Sequence, residues 1–270
     1  MDTISKYNHL KNYLKEIGNL CIAFSGGVDS TFLLAVAHEV LGDNAMAVTV
    51  RSSMYTQREY EEAVKFAARL RVKHIIIDAD EYGIKEFVDN TEDRCYYCKY
   101  AIFSKIIDTA RKEGISNVAD GSNASDVHDF RPGMRAIKEL RVLSPLKEQR
   151  LTKDEIRVLS HQMDLPTWNK PSFACLASRI PYGIPITPDK LKMVEMCEDY
   201  LFSLGFQQFR VRYHGSLAKI EVLPEEQNRF FDKMLCEKVV KKFKEAGFQY
   251  ITLDLEGYRT GSMNEVLNRS

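Results

Sequence analysis

The sequence predicts an α/β protein in which a parallel sheet carries helices on both faces and a smaller α+β unit follows. Three observations predict this. Short apolar runs alternate with amphipathic stretches through the first half. Five of the eight prolines then fall between residues 165 and 188, too many for regular structure. After them the order changes to strand, strand, helix, strand. LCIAF (20–24) reads as a buried strand, and Thr31 to Leu41 as a helix with Phe32, Leu33, Val36 and Val40 on its apolar face. AMAVTV (45–50) is the second strand, 57–70 an amphipathic helix, and VKHIIID (72–78) the third strand. A helix from Tyr100 to Lys112 precedes two more strand candidates, NVAD (117–120) and LRVLSPL (140–146). Helices between successive strands bring those strands parallel, and ligands then sit beyond the carboxyl ends where the strand order reverses. Thr152 and Glu155 form a capping box for a helix to about Met163. Thr187-Pro188, an N-cap followed by an N1 proline, opens another to about Leu204. FRVRYHG (209–215) and AKIEVL (218–223) read as strands, Glu225 to Ala246 as a helix, and YITLDLEGY (250–258) as a strand. The expected domains are residues 1–170 and 171–270.

Composition narrows the function. The 38 Lys+Arg and 38 Asp+Glu cancel to zero net charge, which disfavours a broad basic surface for nucleic acid or anionic membrane. The start is polar, without the apolar segment of a secretory leader, and no stretch has the roughly 18 apolar residues of a membrane span. The end, NEVLNRS, has no prenylation or retention signal. The expected compartment is the cytoplasm, where thiols stay reduced. Six cysteines in 270 residues are too sparse for a disulfide scaffold, so cysteines at special spacings there read as ligands or nucleophiles.

Two loops read as an anion site. Ser25-Gly26-Gly27-Val28-Asp29-Ser30 lies between the first strand and first long helix. Paired glycines let backbone N–H groups curl around an anion, the helix N-terminus adds its dipole, and Ser25 and Ser30 supply hydroxyls. Asp29 would repel phosphate unless a cation intervenes, which suggests Mg²⁺. The plain alternative is a glycine-rich turn. The loop is neither a Walker A, since no Gly-Lys pair occurs, nor a dinucleotide fingerprint. Asp120-Gly121-Ser122-Asn123-Ala124-Ser125-Asp126 follows the fourth strand on the same edge; its small polar residues suit a nucleotide, and Asp126 suits a metal, although a turn would look similar.

Cys95 and Cys98, in RCYYCK (94–99), are spaced to grip one metal centre. With Cys175 in the proline-rich loop they could hold a [4Fe–4S] cluster with one iron open; zinc on three cysteines plus His128 or His161 competes, and a redox pair is a third reading. Arg179 close by in sequence would favour the Cys175 thiolate. Cys21, Cys197 and Cys236 lie inside expected strands and helices and read as packing residues.

SGGVDS (25–30) resembles the PP-loop of the ATP pyrophosphatase superfamily, whose members release pyrophosphate while adenylating an oxygen. Together with RCYYCK (94–99), DGSNASDVHDFRPGMRA (120–136), PSFACLASRIPYGIPIT (171–187) and FRVRYHG (209–215), it resembles the LarE-type ATP-dependent sulfur transferases over essentially the whole chain. CLASRIPYG (175–183) is the most specific of these runs. The resemblance implies an adenine nucleotide alpha hydrolase-like fold for residues 1–170 and a sulfur-transfer or substrate domain for 171–270. It implies synthesis of the nickel-pincer nucleotide used in lactate racemization. ATP adenylates a carboxylate of pyridinium-3,5-biscarboxylic acid mononucleotide, and sulfur displaces AMP to give a thiocarboxylate. Members with a single cysteine, at the position of Cys175, sacrifice its sulfur. Cys95 and Cys98 place this chain with the three-cysteine branch, for which the resemblance implies a [4Fe–4S] cluster carrying sulfide.

By the same resemblance Cys175 and Arg179 are catalytic, and Arg210 and Arg212 bind substrate. The alternative for these two arginines, which share one strand face, is a solvated surface. Ser25, Gly26, Gly27, Asp29, Ser30, Gly121, Ser122 and Asn123 bind nucleotide, and Asp29, Asp126 and Glu198 hold Mg²⁺. The implied partners are a small nucleotide substrate, a sulfide or sulfur-donor protein, and further copies of the chain in a trimer or hexamer. Membranes and nucleic acid are not implied. Competing functions are tRNA thiolation, an ammonia-using synthetase and a non-catalytic nucleotide-binding regulator.

Overall fold

The structure is a computed structural model that describes residues 2–128, 132–171 and 174–259. The NEVLNRS end, Ser172-Phe173, and Asp129 to Arg131 within the DGSNASDVHDFRPGMRA run lie outside these, as does the side chain of His128. The chain forms two compact units, Met1–Ile84 with Asp93–Lys170 and Lys85–Glu92 with Pro171–Ser270. No helix among the described residues is long and apolar enough to cross a membrane.

The first unit runs α1 (Thr3–Ile17), β1 (Leu20–Ala23), α2 (Val28–Leu41), β2 (Ala45–Arg51), α3 (Gln57–Leu70) and β3 (Lys73–Asp78). After α4 (Lys85–Val88), which belongs to the second unit, it continues through α5 (Arg94–Lys112), β4 (Val118–Ala119), α6 (Gly133–Glu139), α7 (Pro145–Glu148) and α8 (Lys153–Gln162). The strands pair in the order β3-β2-β1-β4, all parallel. β1 and β2 are buried almost throughout, whereas β3, at the edge, alternates between half-buried and exposed positions. The core joins Leu20 and Ile22 of β1 to Phe32, Leu33 and Val36 of α2.

Two expectations change here, and one element is new. LRVLSPL is not a strand; it contributes a single parallel bridge, Ala119 to Leu143, and then a helical turn that Pro145 opens. α5 begins at Arg94 rather than Tyr100, so Cys95 and Cys98 lie in its first turns. α1 is an element the hydrophobic pattern did not announce: Asp2 caps it by accepting from the Ser5 N–H at 2.9 Å, and within it only Leu10 and Leu14 are buried.

The second unit contains α4, α9 (Pro188–Ser203), β5 (Phe209–His214), β6 (Leu217–Val222), α10 (Lys233–Glu245) and β7 (Tyr250–Leu253). β5 and β6 are antiparallel, β6 and β7 parallel. Phe206, Phe209, Val211, Ile220, Phe243 and Phe248 form its core. The expected helix from Glu225 is interrupted. Pro224–Phe231 is a 3₁₀ segment, and extended Asp232 then caps α10 by accepting from Met234 N–H at 2.8 Å and Leu235 N–H at 3.3 Å. Residues 181–184 of the proline-rich stretch are held by buried Asn90, whose amide donates to the carbonyls of Pro181 (2.7 Å) and Ile184 (2.9 Å). Ile186 N–H adds a bond to the Val88 carbonyl at 2.8 Å, which ties residues 85–92 to this unit.

Candidate active site

β1 lies between β2 and β4, so the strand order reverses beside it, and the carboxyl ends of β1 and β4 are where an open parallel sheet places its ligand. Ser25 to Ser30 leaves β1 at this point. Gly26 has φ +69°, and a Cβ there would meet the Ala63 Cβ at 3.0 Å, so only glycine fits. The loop is internally braced: the Ser25 and Ser30 hydroxyls lie 3.1 Å apart, Ser25 N–H donates to Ser30 Oγ (3.3 Å), and Ser30 Oγ donates to the Gly27 carbonyl (3.2 Å). Gly27 is the N-cap of α2, and its own side-chain cap is absent, which leaves the first-turn N–H groups suited to an anion. The approach to the loop is fixed as well. Thr49 Oγ1 donates to the Phe24 carbonyl at 2.8 Å, so the 2.8 Å contact from His74 Nε2 makes that nitrogen the donor. Burial keeps the His74 pKa below its usual value, in accord with a neutral ring.

The loop after β4 lies against this one. A Cβ on Gly121 would fall 3.1 Å from Ser30 N. Asp120 is buried and accepts from the Ser122 hydroxyl and from Ser144 Oγ at 2.7 Å. Asn123 N–H donates to Asp126 Oδ2 (2.9 Å), and Ser125 N–H to Asn123 Oδ1 (2.8 Å), shaping a turn whose side chains face the PP-loop. Replacing Gly121 by valine is expected to weaken ATP binding at least tenfold, about 1.4 kcal/mol, with the helical circular dichroism intact; calorimetric titration measures it.

Asp29 stands in the first turn of α2. Its Oδ2 accepts from Lys153 Nζ at 2.6 Å, while Oδ1 is buried with no hydrogen-bond partner within bonding geometry among the described residues, although the Asn123 side chain is close enough to lower the Asp29 pKa. Burial raises its pKa; Lys153 opposes that shift and nearby Asp126 adds to it. An unsatisfied carboxylate oxygen beside a second carboxylate, at the mouth of a phosphate loop, fits Mg²⁺. Lys153 and Lys170 were not legible as site residues. Lys170 Nζ donates to the Gly26 carbonyl (3.0 Å) and to Glu62 (2.6 Å), clamping the PP-loop from 144 positions away in the chain.

The second unit carries a buried charge cluster. Arg179 and Glu198 form a two-pronged pair, Nε to Oε1 and Nη2 to Oε2, each 2.8 Å, and are 1% and 2% exposed. Arg179 Nη1 also donates to the carbonyls of Ala174 (2.6 Å) and Cys175 (3.0 Å). Glu198 Oε1 accepts from Val211 N–H at 2.9 Å, so both its oxygens are committed within the protein and it serves as the counter-ion of Arg179. Arg212 pairs with Glu221 at 2.8 Å and donates to the Ser178 carbonyl at 2.9 Å. Arg210 lies over the Tyr258 ring, 5.0 Å from its centroid, and donates to the Phe209 carbonyl at 2.7 Å. Burial first, and then Arg179, push the Arg210 pKa down to about 10. Far from lying on a solvated face, Arg210 and Arg212 are 4% and 5% exposed.

Comparison with known proteins identifies the family. The family described as arginosuccinate synthase N-terminal HUP domain matches residues 19–166. The pyridinium-3,5-bisthiocarboxylic acid mononucleotide synthase of Lactiplantibacillus plantarum is 37% identical, over 95% of this chain and 93% of its own length. The chain belongs to the LarE-type synthase family. An uncharacterized protein of Synechocystis sp. is 40% identical over 98% of this chain and 99% of its own length, and the argininosuccinate synthase of Pyrococcus furiosus is 31% identical over 50% of this chain and 36% of its own length. The LarE-type chain is therefore an ATP-dependent sulfur transferase of the PP-loop superfamily, built on the expected HUP fold with a smaller sheet-containing unit after it.

The cysteines of this LarE-type chain fall into distinct settings. Cys21 and Cys197 are buried, and burial pushes both thiols up to about 12, as suits packing residues. Cys236 is half-buried and donates to the Phe230 carbonyl at 2.7 Å. Cys95 is exposed, and Cys98 is buried with its sulfur 3.5 Å from Met54 Sδ. Cys175 is half-buried at the N-cap of the 3₁₀ turn Leu176–Arg179. Among the described residues, no three or more His, Cys, Asp or Glu side chains are gathered as a metal site.

Proposed function

We propose that the chain converts a carboxylate of pyridinium-3,5-biscarboxylic acid mononucleotide to a thiocarboxylate, with ATP consumed and AMP and pyrophosphate released. The observation that carries the reading is the meeting of the two loops at the carboxyl ends of β1 and β4, with Asp29 Oδ1 buried and without a hydrogen-bond partner among the described residues. The substrate assignment is supported by the synthase of L. plantarum, alike over 95% of this chain.

In this mechanism the PP-loop N–H groups and the Ser25 and Ser30 hydroxyls hold the β- and γ-phosphates, and Gly121, Ser122 and Asn123 contact the nucleotide. Asp29 and Asp126 would hold Mg²⁺, which when bound offsets the phosphate charge. Glu198 belongs to the other unit and is paired with Arg179, so a share in holding metal would compete with that pair. A substrate carboxylate oxygen attacks the α-phosphorus and pyrophosphate leaves with the P–O bonding pair. A sulfide then adds to the acyl carbon, and AMP departs with the electrons of the C–O bond, leaving the thiocarboxylate. Arg179, Arg210 and Arg212 are buried beside Glu198 and Glu221, and guanidiniums suit the phosphate and carboxylates of the substrate. Arg179 acts as a positioning residue, since its bonds to the Ala174 and Cys175 carbonyls orient the Cys175 backbone.

Cys95, Cys98 and Cys175 would hold a [4Fe–4S] cluster. An all-thiolate donor set suits iron–sulfur chemistry and not Mg²⁺, and the first two cysteines stand three positions apart on α5, on neighbouring turns. When bound, the cluster supplies a sulfide on its open iron. Anaerobically purified protein given ATP, Mg²⁺, sulfide and the dicarboxylate nucleotide is expected to form AMP, pyrophosphate and thiocarboxylate over many turnovers, with four irons counted per chain, the number a [4Fe–4S] cluster contains. A colourless, zinc-loaded protein removes the cluster. Thiolation of RNA in place of the nucleotide removes the substrate assignment.

A further inference from the structure

The Lys153–Asp29 pair sits where the proposed mechanism puts a metal. Lys153 Nζ is 2.6 Å from Asp29 Oδ2, and Oδ1 is buried with no hydrogen-bond partner among the described residues. Asp126 lies close enough to act electrostatically on Asp29, so two carboxylates share this lysine's field. The root of Lys153 is fixed: it follows the Thr152 N-cap of α8, and its N–H donates to Ser125 Oγ at 3.1 Å. Its side chain is 24% exposed, which leaves the four-carbon stem room to move. A divalent cation on Asp29 would become the largest local charge and make the ammonium redundant there, while bringing with it the polyphosphate that an ammonium binds well.

We propose that Lys153 is an exchangeable counter-ion: it neutralises Asp29 before nucleotide arrives, yields that carboxylate to the metal, and transfers its ammonium to the phosphates of ATP. This rests on the Mg²⁺ reading of Asp29 given above. The exchange has a sign that a structural lysine or a simple phosphate ligand would not give. If the ion pair occupies Asp29 nine-tenths of the time, removing it raises the apparent affinity for metal alone about tenfold, because the competent fraction is no longer limiting.

Mn²⁺ binding, followed by the resonance of the free ion, tests this on the full-length protein. Lys153→Met and Lys153→Gln are expected to bind Mn²⁺ alone about tenfold tighter than wild type, and Mn²⁺–ATP about tenfold weaker. Their melting temperatures are expected to fall without metal and to gain more from Mn²⁺ than the wild type gains. Lys153→Arg, which keeps the charge, is expected not to tighten Mn²⁺. Unchanged or weaker binding of Mn²⁺ alone in both neutral variants, or unchanged Mn²⁺–ATP binding, overturns the exchange. Asp29→Asn separates this from the underlying reading: equal Mn²⁺ binding by Asp29→Asn and wild type removes the metal site itself, whereas loss in Asp29→Asn with no gain in Lys153→Met removes only the role of Lys153.

Discussion

Glu198→Ala is expected to destabilise the second unit by about 3–5 kcal/mol, the range for breaking a buried ion pair from one side. The substitution leaves Arg179 charged and only 1% exposed, with Arg210 adding repulsion. It also strips Val211 N–H of its acceptor and frees Arg179, so the grip on the Ala174 and Cys175 carbonyls loosens. Glu198→Gln keeps an acceptor for Val211 and the shape of the pair but not its charge, and a smaller loss is expected. Denaturant unfolding followed in the two variants measures both.

The pH dependence has a defined sign. Burial alone would raise the Glu198 pKa, but Arg179, Arg210 and the Val211 N–H together outweigh it and the net shift is downward. The unfolded carboxyl titrates near pH 4.3. The stabilisation is therefore fully present above about that pH and is lost as pH falls through the depressed folded value. Wild type should lose stability with acid over this window more steeply than Glu198→Gln. Equal slopes would show that the pair is not ionised in the folded state.

What the sequence revealed followed from how local each signal was. The β1, β2 and β3 runs are apolar over consecutive residues, and Thr152–Glu155 and Thr187–Pro188 carry their caps within four positions; the structure has both caps, with Thr187 accepting from Lys190 N–H at 3.3 Å. Elements whose stability comes from elsewhere were not legible. α1 buries only two of its residues, and its polar face hides the period. The break at Asp232 depends on one side chain turning to cap α10, which a helical pattern does not display. The loop chemistry of Ser25 to Ser30 was legible because glycines and hydroxyls are contiguous there. Lys153 and Lys170 reach the same loop across 124 and 144 positions of chain, and an isolated lysine carries no pattern. The charge of Arg210 and Arg212 was legible; their burial was not, because it depends on groups distant in sequence, Glu221 of β6 for Arg212 and the Tyr258 ring for Arg210.

Cys175→Ala is expected to abolish thiocarboxylate formation while the first-turnover release of pyrophosphate with ATP and substrate stays within a few-fold of wild type. The separation follows from where the groups stand. The residues proposed to hold the triphosphate belong to the first unit, whereas Cys175 belongs to the second. Alanine retains the backbone carbonyl that Arg179 holds, so the turn Leu176–Arg179 keeps its support. The same measurement on Cys95→Ala decides how sulfur is delivered. Cys95 is exposed, so its truncation creates no cavity and should leave folding and adenylation intact. If sulfide is delivered through a three-thiolate cluster, Cys95→Ala loses the brown chromophore and multiple turnover together. If Cys175 gives up its own sulfur, Cys95→Ala still yields one product per chain, and the Cys175 peptide loses one H₂S on conversion to dehydroalanine. Full multiple turnover by Cys95→Ala would exclude the three-ligand centre, because a [4Fe–4S] cluster that loses a thiolate ligand loses its hold on the protein.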